Sequence, residues 1–402
     1  MLSAILSYGS FSELKDICHN IKYISCVSGA SWFFVHALYY DKLSYDVFLD
    51  PFNCTLENLE KNKLESYGDL FSKIDLINSI ISFDSKLCDN HKWINMIYDI
   101  FYKKYDDEKI LNKYIQINLA KYPYLIVNAT VYYNDIRITL PIEFTQNDVN
   151  LPNFHNSNDE SYGGYIIKIK DSCKNFNFFP YVQSALSSNI IDLSLERITF
   201  NNYNTNSFQL FNPNTNKINH CNIGDGGDFD DTGLLALCRR KTKNILVNIF
   251  SSIPITSLLF KNDIITPFLS CLFKGNLNSE KNGIFDLGIW DNLYKEFLNK
   301  FELGLPITVL LTTNVLDNEH FQLEGYGPVN FLFHITSRTQ QWFDQLPINT
   351  QQLINEKYKS FPYISLFKNN FDIKLTSLLF NLQKWDMRNS PEYKIFFNEF
   401  YK

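Results

Sequence analysis

The sequence lacks the features that would carry it into nucleic acid, through a bilayer or onto a metal. Lys and Arg number 37 against 43 Asp and Glu, a formal net charge of -6. No basic surplus is available to neutralise a run of phosphates, which argues against a nucleic-acid partner. No apolar run is long enough to span a membrane: the longest, residues 245–260, is broken by Asn248, three serines and Pro254. No basic region precedes the first apolar stretch, so a secretory leader is not expected. The eight cysteines form no Cys-x-x-Cys pair, and none of the seven histidines has a metal-like partner spacing. A zinc ribbon or dithiol centre is therefore not expected. Scattered cysteines in a large chain suit reduced thiols, hence a cytoplasmic location, peripheral to membranes at most. The sequons at Asn53 and Asn128 would need a secretory route to matter. No internal repeat is found.

What is present is hydrophobic and aromatic. The 402 residues are 45% hydrophobic and include 35 Phe, 24 Tyr and 5 Trp, enough for a large core and for apolar pockets. Apolar spacing predicts a helix over residues 2–19 and a strand over 21–27. Residues 41–120 read as a helical insertion, and 124–133 with 137–144 as paired strands. Residues 146–164 read as a polar loop, and 201–222, rich in Asn, as a mobile loop. A helix is expected over 231–241, strands over 245–250 and 307–314, and a helix over 375–384. The alternation of strands and helices favours a mixed α/β layer fold.

Two stretches carry chemistry. In Cys26-Val27-Ser28-Gly29-Ala30, an apolar run stops at a Ser-Gly pair and an aromatic-rich amphipathic run follows. That order reads as strand, tight turn, helix, with Ser28 lifted off the sheet towards the helix N-terminus. Cys26 and Ala30 occupy the glycine positions of a Gly-x-Ser-x-Gly elbow; both are small. An isolated serine needs a base and donors for the oxyanion, and the Gly29 amide is well placed to be one donor. The second stretch runs from Asp225-Gly226-Gly227 through Asp230-Asp231 into Leu234 and on to Arg239-Arg240-Lys241. Glycines around Asp225 allow close approach to another group, so Asp225 can serve as general base to Ser28. The same stretch also reads as a capped surface helix, with Asp230 or Asp231 as N-cap, or as an acidic calcium loop, although it lacks the EF-hand order. A Ser–His–Asp triad using His320 or His334 is the rival mechanism. Arg239 and Arg240 either complement a helix C-terminus or contact lipid phosphates. Glu143 is expected to be structural. The aromatic cluster Phe176, Phe178, Phe179 and Tyr181 suits a core, or the lining of an acyl pocket.

Together the two stretches resemble the patatin-like and group IV cytosolic phospholipases, whose Ser–Asp dyad works without histidine. Weaker echoes are Pro141 to Thr145 and Phe361-Pro362 before a C-terminal helix. The resemblance implies one three-layer α/β domain over 1–402, with a central, mostly parallel sheet. It implies a lipid acyl hydrolase of phospholipase or lysophospholipase type with Ser28 as nucleophile and Asp225 as general base. Gly29, Gly226 and Gly227 would serve the oxyanion and the turns, and no cofactor or metal would be needed. Its partner would be a phospholipid or other acyl lipid, met in transient contact with a membrane surface. One departure stands out. The family places a glycine-rich oxyanion loop upstream of the serine, and only 27 residues precede Ser28. Each such donor is worth about 2.7–4 kcal/mol in the transition state. Two explanations fit the departure: a start codon assigned too late, or an impaired relative that binds lipid or a protein partner.

Overall fold

In a computed structural model the described residues are 2–39, 50–61, 94, 97–98, 117–133, 138–152, 154–155, 161–162, 164–168, 180–188, 208–212, 217–251, 272–273, 283–319, 321–364 and 372–400. Their helices are α1 (Leu2–Leu14), α2 (Gly29–Tyr39), α3 (Leu56–Lys61), α4 (Pro180–Leu186), α5 (Gly227–Asp230), α6 (Leu234–Arg239), α7 (Leu287–Glu302), α8 (Gln340–Asp344), α9 (Ile348–Glu356), α10 (Ile373–Asn389) and α11 (Pro391–Phe400). The strands are β1 (Tyr23–Val27), β2 (Tyr124–Tyr133), β3 (Ile138–Thr145), β4 (Asp148–Leu151), β5 (Phe154–His155), β6 (Ser161–Tyr162), β7 (Tyr165–Lys168), β8 (Phe208–Asn212), β9 (Lys217–Asp225), β10 (Asn244–Ile249), β11 (Ile307–Val315) and β12 (Tyr326–Ile335). The mixed α/β class follows directly.

The larger sheet has the order β7-β4-β3-β2-β9-β8, with β1 also on β2. One edge of β2 pairs with β3. The other edge is shared by two strands. β1 runs parallel along Tyr124 to Asn128, and β9 runs antiparallel along Ala129 to Tyr133. Their C-terminal ends therefore meet at the Asn128–Ala129 step. A smaller sheet has β12 between β10, parallel, and β11, antiparallel.

The mostly parallel central sheet expected from the resemblance is not what these pairings form. In the larger sheet, β1 with β2 is the one parallel pair among the described residues. Four residues separate β2 from β3, and four separate β8 from β9, too few for the crossover that parallel neighbours require. The expected loop at 201–222 is replaced from Phe208 onward by the β8–β9 hairpin, whose register pairs Phe208 with Cys221. Likewise β4 and the β5–β6 pair occupy part of the expected loop at 146–164. Most of the 41–120 insertion lies outside the described residues, as do Phe176, Phe178 and Phe179.

α1 is buried on more than one face, with Ile5, Leu6, Tyr8 and Phe11 at most 3% exposed. That marks a helix enclosed within the fold. Tyr8 packs on Phe33 of α2 and Phe380 of α10, with ring centroids 5.2 and 4.8 Å apart. Full burial of each such side chain contributes about 1.5–3 kcal/mol. Gly9, which weakens α1 by propensity, is where α10 comes close: a Cβ there would stand 3.0 Å from the Gln383 Cβ. No helix among the described residues is long and apolar enough to cross a membrane.

A buried ion cluster ties α6 to β3. Glu143, fully buried, accepts from Arg239 at 2.6 Å and from Arg240 at 2.7 Å. Burial alone would raise the Glu143 carboxyl, but the two guanidinium charges and their hydrogen bonds outweigh it and hold the pKa below the ordinary range. A carboxyl whose pKa is lower folded than unfolded contributes stability present above its unfolded value and lost as pH falls through the folded one. Glu143→Gln should cost about 3–5 kcal/mol at neutral pH by leaving two cations unpaired. It should also flatten the acid fall of Tm below about pH 4.5. Parallel Tm–pH curves for the variant and the wild type would contradict this.

Candidate active site

Ser28 sits where β1 ends and α2 begins, and its backbone is left-handed, with φ 52°. A non-glycine residue held there stores about 1–3 kcal/mol of strain and persists only where its surroundings fix it. The fixing groups lie on stretches of chain distant in sequence and brought together by the sheet. Ser28 N donates to Ser187 Oγ at 3.1 Å, and Ser187 Oγ donates to Asn128 O at 2.5 Å. Asn128 Nδ2 donates to Cys26 O and Ser25 Oγ, and Ser25 Oγ donates to Gly233 O. In α2, the Ser31 amide and hydroxyl both donate to Ser28 O, and Trp32 Nε1 donates to Ser188 Oγ.

Asp225 is the last residue of β9, placed by the strand junction directly opposite the elbow. Ser28 Oγ donates to Asp225 Oδ2 at 2.6 Å, while Gly227 N donates to Asp225 Oδ1 at 2.8 Å. One carboxylate oxygen is thus oriented by the backbone and the other faces the hydroxyl. Gly226 N donates to Ser187 O. The amides of Gly226 and Gly227 therefore hold the turn and are not free for an oxyanion. The Gly29 amide opens α2, where a first-turn amide has no intrahelical acceptor. Gly226 meets a close approach: a Cβ there would lie 2.4 Å from Asn128 O.

The remaining residues of the acidic stretch have structural partners. The Asp230 carboxylate accepts from the amides of Thr232, Gly233 and Leu235 and from the Thr232 hydroxyl. The N-cap of α6 is Gly233, left-handed at φ 66°, and neither Asp230 nor Asp231 holds that position; Asp230 reaches the first turn only through the Leu235 amide. Burial raises its carboxyl against those hydrogen bonds. Asp231 reaches solvent on its outer side. Desolvation of its inner side, then Asp230, then Asp225, raises it to about 7. No cluster of metal-ligating side chains occurs among the described residues.

Arg239 and Arg240 are corrected as phosphate contacts: both guanidiniums are held by Glu143. His334 is not at Ser28. It is buried with Asp386, Nε2 to Oδ2 at 3.6 Å, and beside Tyr393 and Asn248. His320 lies outside the described residues. The sequence gives no signal for Ser187, and for Asn128 only a sequon, which says nothing of the elbow. Asn128 sits in β2 and Ser187 in a small-residue stretch after α4. A cavity of about 610 Å³ reaches Ser28 from between β1 and β10.

The chain matches no known family model, and no curated protein is similar to it. Among solved structures, human GIVD cytosolic phospholipase A2 is similar at 13% identity and a TM-score of 0.48, over 96% of this chain and 57% of that one. This chain thus spans little more than half the length of that neighbour.

Gly226→Ala should be destabilised by about 1–3 kcal/mol, because the added methyl meets backbone rather than a yielding side chain. Gly227→Ala, whose Cβ would lie 3.2 Å from Asp225 Oδ1, should be milder in Tm. Equal Tm values for the two variants would contradict the close approach at Gly226.

Proposed function

We propose that the protein is a lipid acyl hydrolase of phospholipase or lysophospholipase type, working through a Ser28–Asp225 dyad and an acyl-enzyme. The observation that carries this reading is the 2.6 Å hydrogen bond from Ser28 Oγ to Asp225 Oδ2 at a left-handed elbow. Lipid as the substrate class is taken from the resemblance of the two motif stretches to patatin-like and group IV phospholipases. Contact with a lipid surface follows from that class.

In the proposed reaction Ser28 Oγ attacks the ester carbonyl carbon and its proton passes to Asp225 Oδ2. Negative charge developing on the carbonyl oxygen is met by the Gly29 amide and the positive end of α2. The tetrahedral intermediate collapses and the leaving alkoxide takes the proton from Asp225. Water, deprotonated by Asp225, then attacks the acyl-serine. The proton returns to Ser28 Oγ and the fatty acid leaves. The chemistry uses only these side chains and backbone groups, so no metal or organic cofactor is part of the proposal.

A second reading is a protein that binds lipid or a protein partner on this fold without efficient turnover. It is favoured by one observation: the amides of Ser28, Gly226 and Gly227 are all engaged internally, which leaves few oxyanion donors. Hydrolysis of a phospholipid and of a lysophospholipid separates the two. The first reading expects Ser28→Ala to lower kcat/KM by at least about 10³-fold and Asp225→Asn by about 10²–10⁴-fold, with folding retained in both. Wild-type turnover no higher than that of Ser28→Ala would leave the second reading standing.

A further inference from the structure

The cavity beside Ser28 has walls of an unusual kind. A sheet face lines a cavity with alternate residues, because side chains point to opposite sides in turn. Here the lining takes every residue from Asn20 to Ser28 and every residue from Thr242 to Ile249. The cavity therefore lies between the edges of β1 and β10. It is closed above and below by helices: α1 and α2 contribute Ser7, Phe11 and Phe34, and α6 contributes Leu234 and Leu237. It is a slot within the sheet layer.

Hydrogen-bond parity shows which backbone groups face the slot. Tyr124 N bonds Lys22 O, so the even residues of β1 face β2 and Tyr23, Ser25 and Val27 face outward. Asn330 N bonds Lys243 O and Thr336 N bonds Ile249 O, so the odd residues of β10 face β12. Leu246 and Asn248 then face the slot. None of these five residues has a backbone partner on that side among the described residues. The two strands also start at the same end. α6 runs from Gly233, bonded to Ser25 Oγ, to Arg240, whose guanidinium lies over the Tyr23 ring, and β10 begins four residues later.

A five-residue strand between two helical layers needs a slot of about 4.8 by 10 by 17 Å, on the order of 800 Å³. The cavity's 610 Å³ is of that scale. A hydrocarbon chain in the slot would take water from the edge amides and carbonyls without replacing it, at about 1–3 kcal/mol per group. A strand would pair them and make β1, β10 and their two sheets continuous. The slot is also polar in charge. Exposed Lys22 and Lys243 line the end where both strands start, and Asp231 lines the end at Ser28.

We propose that this slot is a strand-docking site for an extended segment of a second polypeptide. That segment pairs in parallel with β1 and β10, acidic at its N-terminal end and basic at its C-terminal end. Main-chain bonds supply affinity and the flanking charges set direction, as in other strand additions to open sheet edges.

The test uses the full chain and a fluorescent heptapeptide, Glu-Val-Thr-Val-Thr-Val-Lys, blocked at both ends. Its charge-reversed form and a version N-methylated at alternate residues serve as controls. Saturable binding of the first peptide is expected. It should slow hydrogen exchange at Tyr23, Ser25, Val27, Leu246 and Asn248 by at least about tenfold, a 1.4 kcal/mol change. The reversed peptide should bind at least about tenfold more weakly and the N-methylated one not at all. Lys22→Glu combined with Lys243→Glu, both at exposed positions, should move the preference towards the reversed peptide. The proposal is overturned if no peptide protects those amides. It is also overturned if both charge orders bind equally, or if the five amides are already protected in the chain without peptide.

Discussion

The structure depends on one edge of β2 being divided between two strands. β1 takes its first half in parallel and β9 its second half in antiparallel, so their C-terminal ends point at each other across the Asn128–Ala129 step. Side chains that follow strands ending head to head have nowhere to go but towards one another. Ser28 and Asp225, 197 positions apart in sequence, meet for that reason. A shift of either register would carry one of them away from the other.

The junction is held by polar groups at close quarters. Ser187 accepts from Ser28 N and donates to Asn128 O, while its own carbonyl receives Gly226 N. Three separate parts of the chain are thereby locked around one step of β2. Such a network is stable because each member is satisfied, and a half-satisfied version would cost more than an apolar one. It also maintains the strained backbone of Ser28, which would relax in looser surroundings. The Glu143 cluster adds a second tie, fixing α6 against β3 just behind the acidic turn.

Local features of this arrangement were legible in the sequence and long-range ones were not. The strand–turn–helix around Ser28 shows in the sudden stop of an apolar run at Ser28-Gly29, and the tight turn at Asp225 shows in its glycines. Both are written within a few residues. The β8–β9 hairpin was hidden because Asn-rich composition around Phe208 and Leu210 covers a short alternation. The antiparallel character of the larger sheet runs against the family resemblance, yet the short connections from β2 to β3 and from β8 to β9 require it. Arg239 and Arg240 suit a helix end whatever they touch, and their partner Glu143 lies about a hundred positions away with no pattern linking them. Ser187 orients the elbow through a single hydroxyl, which leaves no trace in composition or spacing.

The central claim is that Ser28 is a nucleophile activated by Asp225. Its most direct measurement is the rate at which a fluorophosphonate labels the folded protein, with the modified residue mapped by mass spectrometry. The account predicts one adduct, on Ser28, formed in the wild type and slowed by at least about 10²-fold in Asp225→Asn. Absence of labelling at Ser28 in the wild type, or equal labelling rates with and without the Asp225 carboxylate, would contradict it.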